Sequence, residues 1–515
     1  METAAVHRPH DPPSTALHGL VRRHLGTFLQ TAGERSGRPL PRYVAEEFRA
    51  YLRCGVLAHG FARARCAGCG HELMVAFSCK LRGVCPSCGG RRMSATAAHL
   101  TDRVLPEVPL RQWVLSVPFA LRRVLARDPD ALNRVSRTFW EAMRRWLRAA
   151  SDATPGDDER IEAGAVTFVQ RFGGSLNLNV HFHVVVADGV WRCGTDGRDP
   201  RFVATPPPTR DDLAGVLTRV VGRLARAFER RGAGQGGEGD EGEAGDALAG
   251  CLRAALARGT YGKADGGGTD DPEAAAERRF ARRPPKAQVA EVEGFNLHAS
   301  VVIGARDVVG RERLLRYVAR PAVVNERVSE LPDGRVAYRL KQSGGRGETH
   351  RVMEPLEFMA RLAALVPPPR HPLVRYHGVF APNSPWRGAV VPAAPPAAQG
   401  CPASGEPPRR ASGEGPPQAV PLGTAQRRPD GGDVFSVADG VVLAKRPRPT
   451  TRIDWATLLH RVWGVDALKC PRCEGRMKFI ATITDRAVVV RILAHLRLPT
   501  EEMRPAPARR WDDTS

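Results

Sequence analysis

Apolar and polar positions along this chain follow two different periods. Helical spacing of apolar residues, on strongly basic backgrounds, runs around Leu17–Gln30 and Tyr43–Arg53 and again over Ala131–Ala149. Strand-like runs rich in β-branched residues cover Arg111–Val117 and Ala163–Gln170. The same reading predicts a strand at Gly294–Gly304, a helix from about Val309 to Ala319 that Pro321 limits, a hairpin turn at 332–334 and a short helix at Asp454–Trp463.

The most informative strand is Leu176 to Trp191, LNLNVHFHVVVADGVW. Residues two apart on a strand point to the same face, so His181 and His183 lie side by side. Neutral imidazoles in this arrangement form half of a divalent-metal site. The alternative is a pair of core histidines that hydrogen bond to neighbouring strands.

Composition narrows the class of protein. The 515 residues are too many for one core, and 77 Lys and Arg against 55 Asp and Glu give a formal charge of +22. Arginine suits phosphate, so we expect a nucleic-acid partner, although an arginine-rich genome could also raise the charge. The chain has neither a long apolar run nor a secretory h-region at its start, which predicts no membrane association and a cytoplasmic, bacterial, nucleoid-associated location.

The chain divides into six segments by composition. We predict a basic helical segment (1–53), a zinc ribbon (54–92), a catalytic domain (93–325), its C-terminal extension (326–390), a disordered linker (391–450) and a small end segment (451–515). Low-complexity insertions at about 231–250 and 262–285 interrupt the catalytic domain.

Eleven cysteines in a chain with no predicted export signal indicate metal ligands rather than disulfides. Cys66 and Cys69 form one CxxC pair, and Cys85 and Cys88 form another fifteen residues later, a spacing typical of one structural Zn²⁺. Three more residues, Cys54, His59 and Cys79, could bind a second metal or could be small buried residues. Cys470 and Cys473 form a further pair with no visible partner pair. Arg91 and Arg92 follow the ribbon and suit phosphate contacts.

A catalytic metal needs a third ligand beside the two histidines. Gln170 ends the preceding strand, and its carbonyl oxygen suits Mg²⁺ or Mn²⁺ if the hairpin register places it on the histidine face. His298 and Asp188 are lesser candidates. Tyr317 lies on the later helix among Arg313, Arg316 and Arg320, where cations would bind phosphate and favour attack by a phenolate. The alternative is a tyrosine packed on the sheet.

Several blocks in this order resemble a known family. They are CGVLAHGFARARCAGCG, FSCKLRGVCPSCGGRRM, VQRFGGSLNLNVHFHVVVADG, GFNLHA, LLRYVARP and YHGVFAPNSPWR, and they span about residues 50–390. The His-hydrophobic-His strand followed by a tyrosine helix is similar to HUH endonucleases. With the zinc ribbon in front, the chain resembles rolling-circle transposases of the insertion sequence ninety-one family and the related common-region elements.

The resemblance implies an α+β fold, with a ferredoxin-like palm whose antiparallel sheet carries helices on one face. It implies Mg²⁺ or Mn²⁺ bound by His181 and His183, with Gln170 as our assignment for the third ligand, besides structural Zn²⁺. It also implies that Tyr317 attacks single-stranded DNA to give a 5′-phosphotyrosine and a free 3′-OH.

One departure concerns the nucleophile. Founding members of the family carry two tyrosines four residues apart on this helix. In this chain the position four residues before Tyr317 is Arg313. The chain therefore resembles the single-tyrosine branch. It lacks a Walker-type phosphate loop, so a host helicase is expected as a partner, and we expect no small-molecule substrate. Two alternatives stay open: a replication initiator or relaxase with the same chemistry, and a non-catalytic zinc-ribbon DNA-binding protein.

Overall fold

A computed structural model of the chain describes residues 11–151, 159–194, 200–233, 288–340, 349–392, 455–463 and 466–508. The helices are Ala16–Ser36 (α1), Arg42–Arg53 (α2), Pro86–Arg103 (α3), Phe119–Arg127 (α4), Pro129–Ala150 (α5), Arg210–Ala233 (α6), Val308–Val318 (α7), Pro355–Leu365 (α8), Arg387–Val390 (α9), Trp455–Trp463 (α10) and Arg486–His495 (α11). None of these helices is both long and apolar enough to cross a bilayer.

The strands belong to four antiparallel sheets. They are Phe61–Cys66 (β1), Glu72–Ala76 (β2), Leu110–Ser116 (β3), Glu159–Glu162 (β4), Gly164–Phe172 (β5), Leu178–Ala187 (β6), Gly189–Gly194 (β7), Arg201–Ala204 (β8), Val289–Val292 (β9), Phe295–Ile303 (β10), Val328–Glu330 (β11), Val336–Arg339 (β12), His350–Met353 (β13), Val374–Gly378 (β14) and Met477–Ile483 (β15). The fold is therefore α+β, as predicted.

The largest sheet has the strand order β14-β5-β6-β3-β10-β9, so the histidine strand β6 lies inside it. The predicted strand from Leu176 to Trp191 is in fact two strands. β6 ends at Ala187, and β7 pairs with β4 and β8 in another sheet. Asp188 stands between them and accepts two hydrogen bonds from Arg111, from Nε at 2.8 Å and from Nη2 at 2.7 Å.

Helices cover both faces of this sheet, which corrects the expectation of helices on one face. Phe182 and Val184 pack into a core with α4, α5 and α6. Val185, on the opposite face of the same strand, packs into a core with α3 and α7. Because the C-terminal part of β6, Val184–Ala187, is apolar on both sides, each face needs a cover to remove it from water.

Local sequence explains where two of these helices begin. Asp128 caps α5 by accepting hydrogen bonds from the backbone N–H groups of Asp130 and Ala131, with Pro129 in the first turn. Asp307 caps α7 by accepting from the N–H of Gly310. The helix predicted at Val309–Ala319 is thus found one residue earlier, at Val308–Val318.

Distant parts of the chain share cores. Helices α1 and α2 pack with α8 and with the β11-β12-β13 sheet, whose first two strands enclose the predicted 332–334 turn. The end segment adds β15 to the β1-β2 hairpin. The described residues all lie in one unit, Met1–Ala393 with Asp454–Ser515. Nearly all of the predicted linker and insertions falls outside the described residues, apart from 231–233, 391 and 392.

Candidate active site and metal centres

The candidate active site lies on the face of the large sheet that α3 and α7 cover. In the register of the sheet His181 is opposite Gln170 on β5 and opposite Ser116 on β3. Paired residues of antiparallel strands point to the same side, so Gln170 shares a face with both histidines. The structure thus brings the three predicted ligands together.

His181 is oriented by its own strand. Its Nδ1 lies 2.9 Å from the carbonyl oxygen of Asn179, so Nδ1–H donates there and Nε2 keeps its lone pair. Burial lowers the pKa of His181 to about 4. The ring is therefore neutral at pH 7, which is the form that binds a metal and the orientation that metal-binding histidines usually have.

His183 contacts a residue that the sequence did not single out. The Gln112 side-chain Nε2 lies 2.7 Å from its Nδ1, and Gln112 is almost fully buried on β3. Burial holds the pKa of His183 well below its ordinary value. Its Nε2 is buried and has no hydrogen-bond partner among the described residues. Half a turn of the Gln112 amide would let Oε1 accept from Nδ1–H and leave a lone pair on Nε2.

Gln170 connects the sheet to the tyrosine helix. Its Nε2 donates to the carbonyl oxygen of Val318 at 2.8 Å and approaches that of Tyr317 at 3.4 Å. Its Oε1 is buried without a partner among the described residues. A buried oxygen and a buried imidazole nitrogen that lack partners on one sheet face fit the donor set of a Mn²⁺ or Mg²⁺ site.

Tyr317 stands at the edge of this site. Its ring meets the His183 ring edge-on, with centroids 5.9 Å apart and an interplanar angle of 84°. The side chain is 40% exposed, so a polymer could reach it. The Arg320 guanidinium lies 4.5 Å above the centre of the Tyr317 ring. A cation and a partly exposed tyrosine therefore lie together beside the candidate ligands.

The other predicted phosphate-binding arginines differ in their surroundings. Arg316 is paired with Glu312 at 2.7 Å, and Glu312 also contacts Arg461 of α10 at 3.3 Å. Arg313, one turn before Tyr317, is exposed. Arg91 and Arg92 are exposed on α3, and Arg92 donates to the carbonyl oxygen of Lys80. The two lesser ligand candidates have other partners: Asp188 pairs with Arg111, and His298 hydrogen bonds to Ser300.

Four sulfur atoms meet at the start of α3. They belong to Cys54, Cys79, Cys85 and Cys88 and lie within 4.8 Å of one another. Three of their contacts, Cys54–Cys88, Cys79–Cys88 and Cys54–Cys85, have sulfur–sulfur distances of 3.5–3.7 Å. Tetrahedral Zn²⁺ with Zn–S bonds of about 2.3 Å needs sulfur atoms about 3.8 Å apart. The cluster therefore fits a structural zinc ion with no open position.

The predicted grouping of Cys66 and Cys69 with Cys85 and Cys88 is wrong. The sulfur atoms of Cys66 and Cys69 meet those of Cys470 and Cys473 instead. The reason is that β15 pairs with β1, with Met477 opposite Cys66, and delivers the C-terminal pair to the tip of the β1-β2 hairpin. Cys54 and Cys79 do belong to a cluster, but His59 does not; burial lowers the pKa of His59.

Comparison with family models gives two matches. Residues 164–386 match the family described as "Putative transposase", and residues 20–117 match the "Transposase zinc-binding domain" of insertion sequence ninety-one elements. No curated protein and no solved structure matches the chain. The first match contains His181, His183, Gln170 and Tyr317, and the second contains the cluster of Cys54, Cys79, Cys85 and Cys88. The two matches support a transposase of the insertion sequence ninety-one family, with a nucleic-acid-processing domain and structural zinc.

Proposed function

We propose that this transposase nicks and joins single-stranded DNA through a 5′-phosphotyrosine formed on Tyr317 during rolling-circle transposition. One observation carries the proposal. Gln170 hydrogen bonds to the carbonyl groups at the end of the tyrosine helix, while its Oε1, which has no partner within the described part of the chain, lies on the histidine face. One side chain thus joins the candidate ligands to the candidate nucleophile, as expected of an HUH palm.

His181, His183 and Gln170 would hold the divalent cation. Their donor set, two neutral imidazoles and an amide oxygen, fits Mn²⁺ or Mg²⁺. When bound, the cation would polarise the scissile phosphate and offset the charge that develops on it. The low pKa of His181 keeps the ligand neutral through the physiological range.

The protein's own groups account for the bond changes. The Tyr317 oxygen attacks phosphorus and forms a P–O bond, and the bond from phosphorus to the 3′ oxygen of the upstream strand breaks. The phenol loses a proton and the released 3′ oxygen gains one, so the step is balanced. Arg320, which lies over the Tyr317 ring, is placed to bind the phosphate. Attack by a 3′-OH on the phosphotyrosine reverses the step and joins strands.

A single nucleophile restricts the order of events. The position one turn before Tyr317 holds the exposed Arg313, so each active site can carry one covalent strand at a time. Two successive cleavages must reuse Tyr317 or employ a second protomer. The charge of +22 suits a DNA partner. Strand separation is assigned to a host helicase.

The experiment uses single-stranded oligonucleotides from the DNA that flanks the gene, incubated with the full-length protein and Mn²⁺. The proposal predicts that a 3′-end label migrates with the protein after denaturation, while a 5′-end label appears on a shorter strand that a polymerase can extend. A 5′ label on the protein would overturn the assigned polarity. Binding of the same oligonucleotides without any adduct would favour the non-catalytic DNA-binding protein.

A further inference from the structure

The cluster of Cys66, Cys69, Cys470 and Cys473 lies partly outside the matched zinc-binding domain, which ends at residue 117. We infer that these four cysteines bind a second zinc ion, and that this ion joins the C-terminal segment to the N-terminal hairpin. The inference does not depend on the chemistry of Tyr317.

The sulfur positions carry the first part of the argument. Cys66 Sγ lies 3.5 Å from Cys473 Sγ, and Cys69 Sγ lies 3.6 Å from Cys470 Sγ. These separations are far longer than a disulfide bond of about 2.05 Å and close to the spacing of about 3.8 Å around tetrahedral zinc. Each contact crosses about 400 residues of chain, 407 for the first pair and 401 for the second.

The backbone gives an independent second part, because both CxxC segments have the same turn. In the first, Cys66 N–H donates to His71 O at 2.8 Å, and Gly70 N–H donates to Cys66 O at 3.1 Å. In the second, Cys470 N–H donates to Gly475 O at 2.7 Å, and Glu474 N–H donates to Cys470 O at 3.0 Å.

The residue after the second cysteine has a left-handed backbone conformation in both segments. Gly70 has φ +74° and Glu474 has φ +62°. A left-handed conformation is strained for glutamate, and the surrounding structure must compensate for it. Two turns that are alike in hydrogen bonds and dihedral angles face each other across the four sulfur atoms, the arrangement of a zinc ribbon assembled from the two ends of the chain.

Small residues leave room for the sulfur atoms. A Cβ added to Gly475 would lie 3.2 Å from Cys66 Sγ and 3.3 Å from Cys473 Sγ. Such contacts are tighter than ordinary van der Waals distances, so the sulfur atoms would have to shift. Glycine at this position is therefore part of the site.

The consequence is a zinc-dependent connection. Without the ion, the C-terminal segment keeps the pairing of β15 with β1 and a small core that joins Val489 and Leu493 of α11 to Phe61. It also keeps polar contacts, among them Arg486 with the carbonyl oxygen of Ala58 at 3.0 Å and the Ala506 N–H with that of Arg22 at 2.8 Å. Structural Zn²⁺ supplies much of the folding free energy of small zinc domains, so loss of the ion should weaken the attachment of this segment. Zinc should therefore slow the release of the C-terminal segment from the hairpin.

The test is zinc stoichiometry of the full-length protein by native mass spectrometry. Wild type should carry two zinc ions. Cys66→Ser/Cys69→Ser, Cys470→Ser/Cys473→Ser and the variant with all four substitutions should each carry one, because the two pairs share one ion. A quadruple variant that carries fewer ions than either double variant would contradict a shared site, as would a full zinc complement after Cys470→Ser/Cys473→Ser. A wild-type mass that lacks the thiol hydrogens of these four cysteines would show two disulfide bonds and would also overturn the inference.

A second measurement checks the connection itself and does not depend on activity. A protease site is placed between residues 400 and 450, and the purified chain is cut there. The fragments should stay together in zinc and separate at least about tenfold faster after chelation or in Cys470→Ser/Cys473→Ser. Lys478→Gln, at an exposed position of β15 outside both CxxC turns, leaves all four thiols in place, so it is the matched control and should behave as wild type. Equal retention with and without zinc would show that the ion does not hold the segment.

Discussion

Replacement of Gln170 separates its two proposed roles. In Gln170→Met the carbonyl oxygen of Val318 loses a donor at 2.8 Å, and a buried acceptor left without a partner costs about 1–3 kcal/mol of the free energy of unfolding. The same change removes a proposed metal ligand. We therefore expect a less stable protein whose half-maximal Mn²⁺ concentration for DNA cleavage rises by at least about 10–100-fold, the cost of losing even an outer partner of a metal site.

Gln170→Glu should behave differently. It keeps an oxygen on the histidine face and adds charge, so the Mn²⁺ requirement should stay near that of wild type or fall. It also loses the N–H donor and places a carboxylate beside the Val318 carbonyl, so the metal-free protein should lose stability. Added Mn²⁺ should restore more stability to this variant than to Gln170→Met.

The assay combines thermal unfolding with a Mn²⁺ titration of oligonucleotide cleavage. Gln30→Met, at an exposed position on α1 where the amide donates to Glu34 at 2.8 Å, is the matched control and should change neither quantity. If Gln170→Met loses stability but keeps the wild-type Mn²⁺ dependence, Gln170 positions the helix only and the ligand assignment is refuted.

Three further predictions test the surroundings of the site. Arg111→Met leaves Asp188 buried and unpaired, so chemical denaturation should show a loss of about 3–5 kcal/mol, and Arg111→Met/Asp188→Leu should recover part of it; equal losses in both variants would contradict this reading. Arg320→Gln should lower the slope of log affinity against log salt by about one for single-stranded DNA, while Arg123→Gln on the opposite side of the sheet should not. Because the folded-state pKa of His181 is about 4 against 6.5 for the free group, the unfolded state binds more protons between those values. The stability of the metal-free protein should therefore fall as pH drops from 6.5 towards 4, and His181→Gln should flatten that dependence.

Local patterns were sufficient for much of the site. Alternation placed His181 and His183 on one face, and the predicted hairpin included Gln170, whose register the structure now gives. Gln112 was missed, although a glutamine within the apolar strand RQWVLSV is the kind of buried polar residue that needs a partner. The helix with Tyr317 followed from its periodicity and from Pro321.

Other features depend on contacts between distant segments, which a local pattern does not contain. Spacing favoured one zinc site because Cys66, Cys69, Cys85 and Cys88 are near neighbours in sequence. The pairing of β15 with β1 instead brings Cys470 and Cys473 to Cys66 and Cys69. These two strands lie about 400 residues apart in the sequence. Cover on both faces of the large sheet has a similar origin, since helices before and after β6 in the chain supply the two layers.

The most direct test of the proposed chemistry asks whether Tyr317→Phe still forms a covalent adduct with DNA. The substitution removes one oxygen and keeps the ring against His183 and Arg320, so folding and DNA binding should persist. With Mn²⁺ and a 3′-labelled oligonucleotide, wild type and the control Tyr43→Phe should form the adduct, and Tyr317→Phe should form none. An undiminished adduct in Tyr317→Phe would contradict the account.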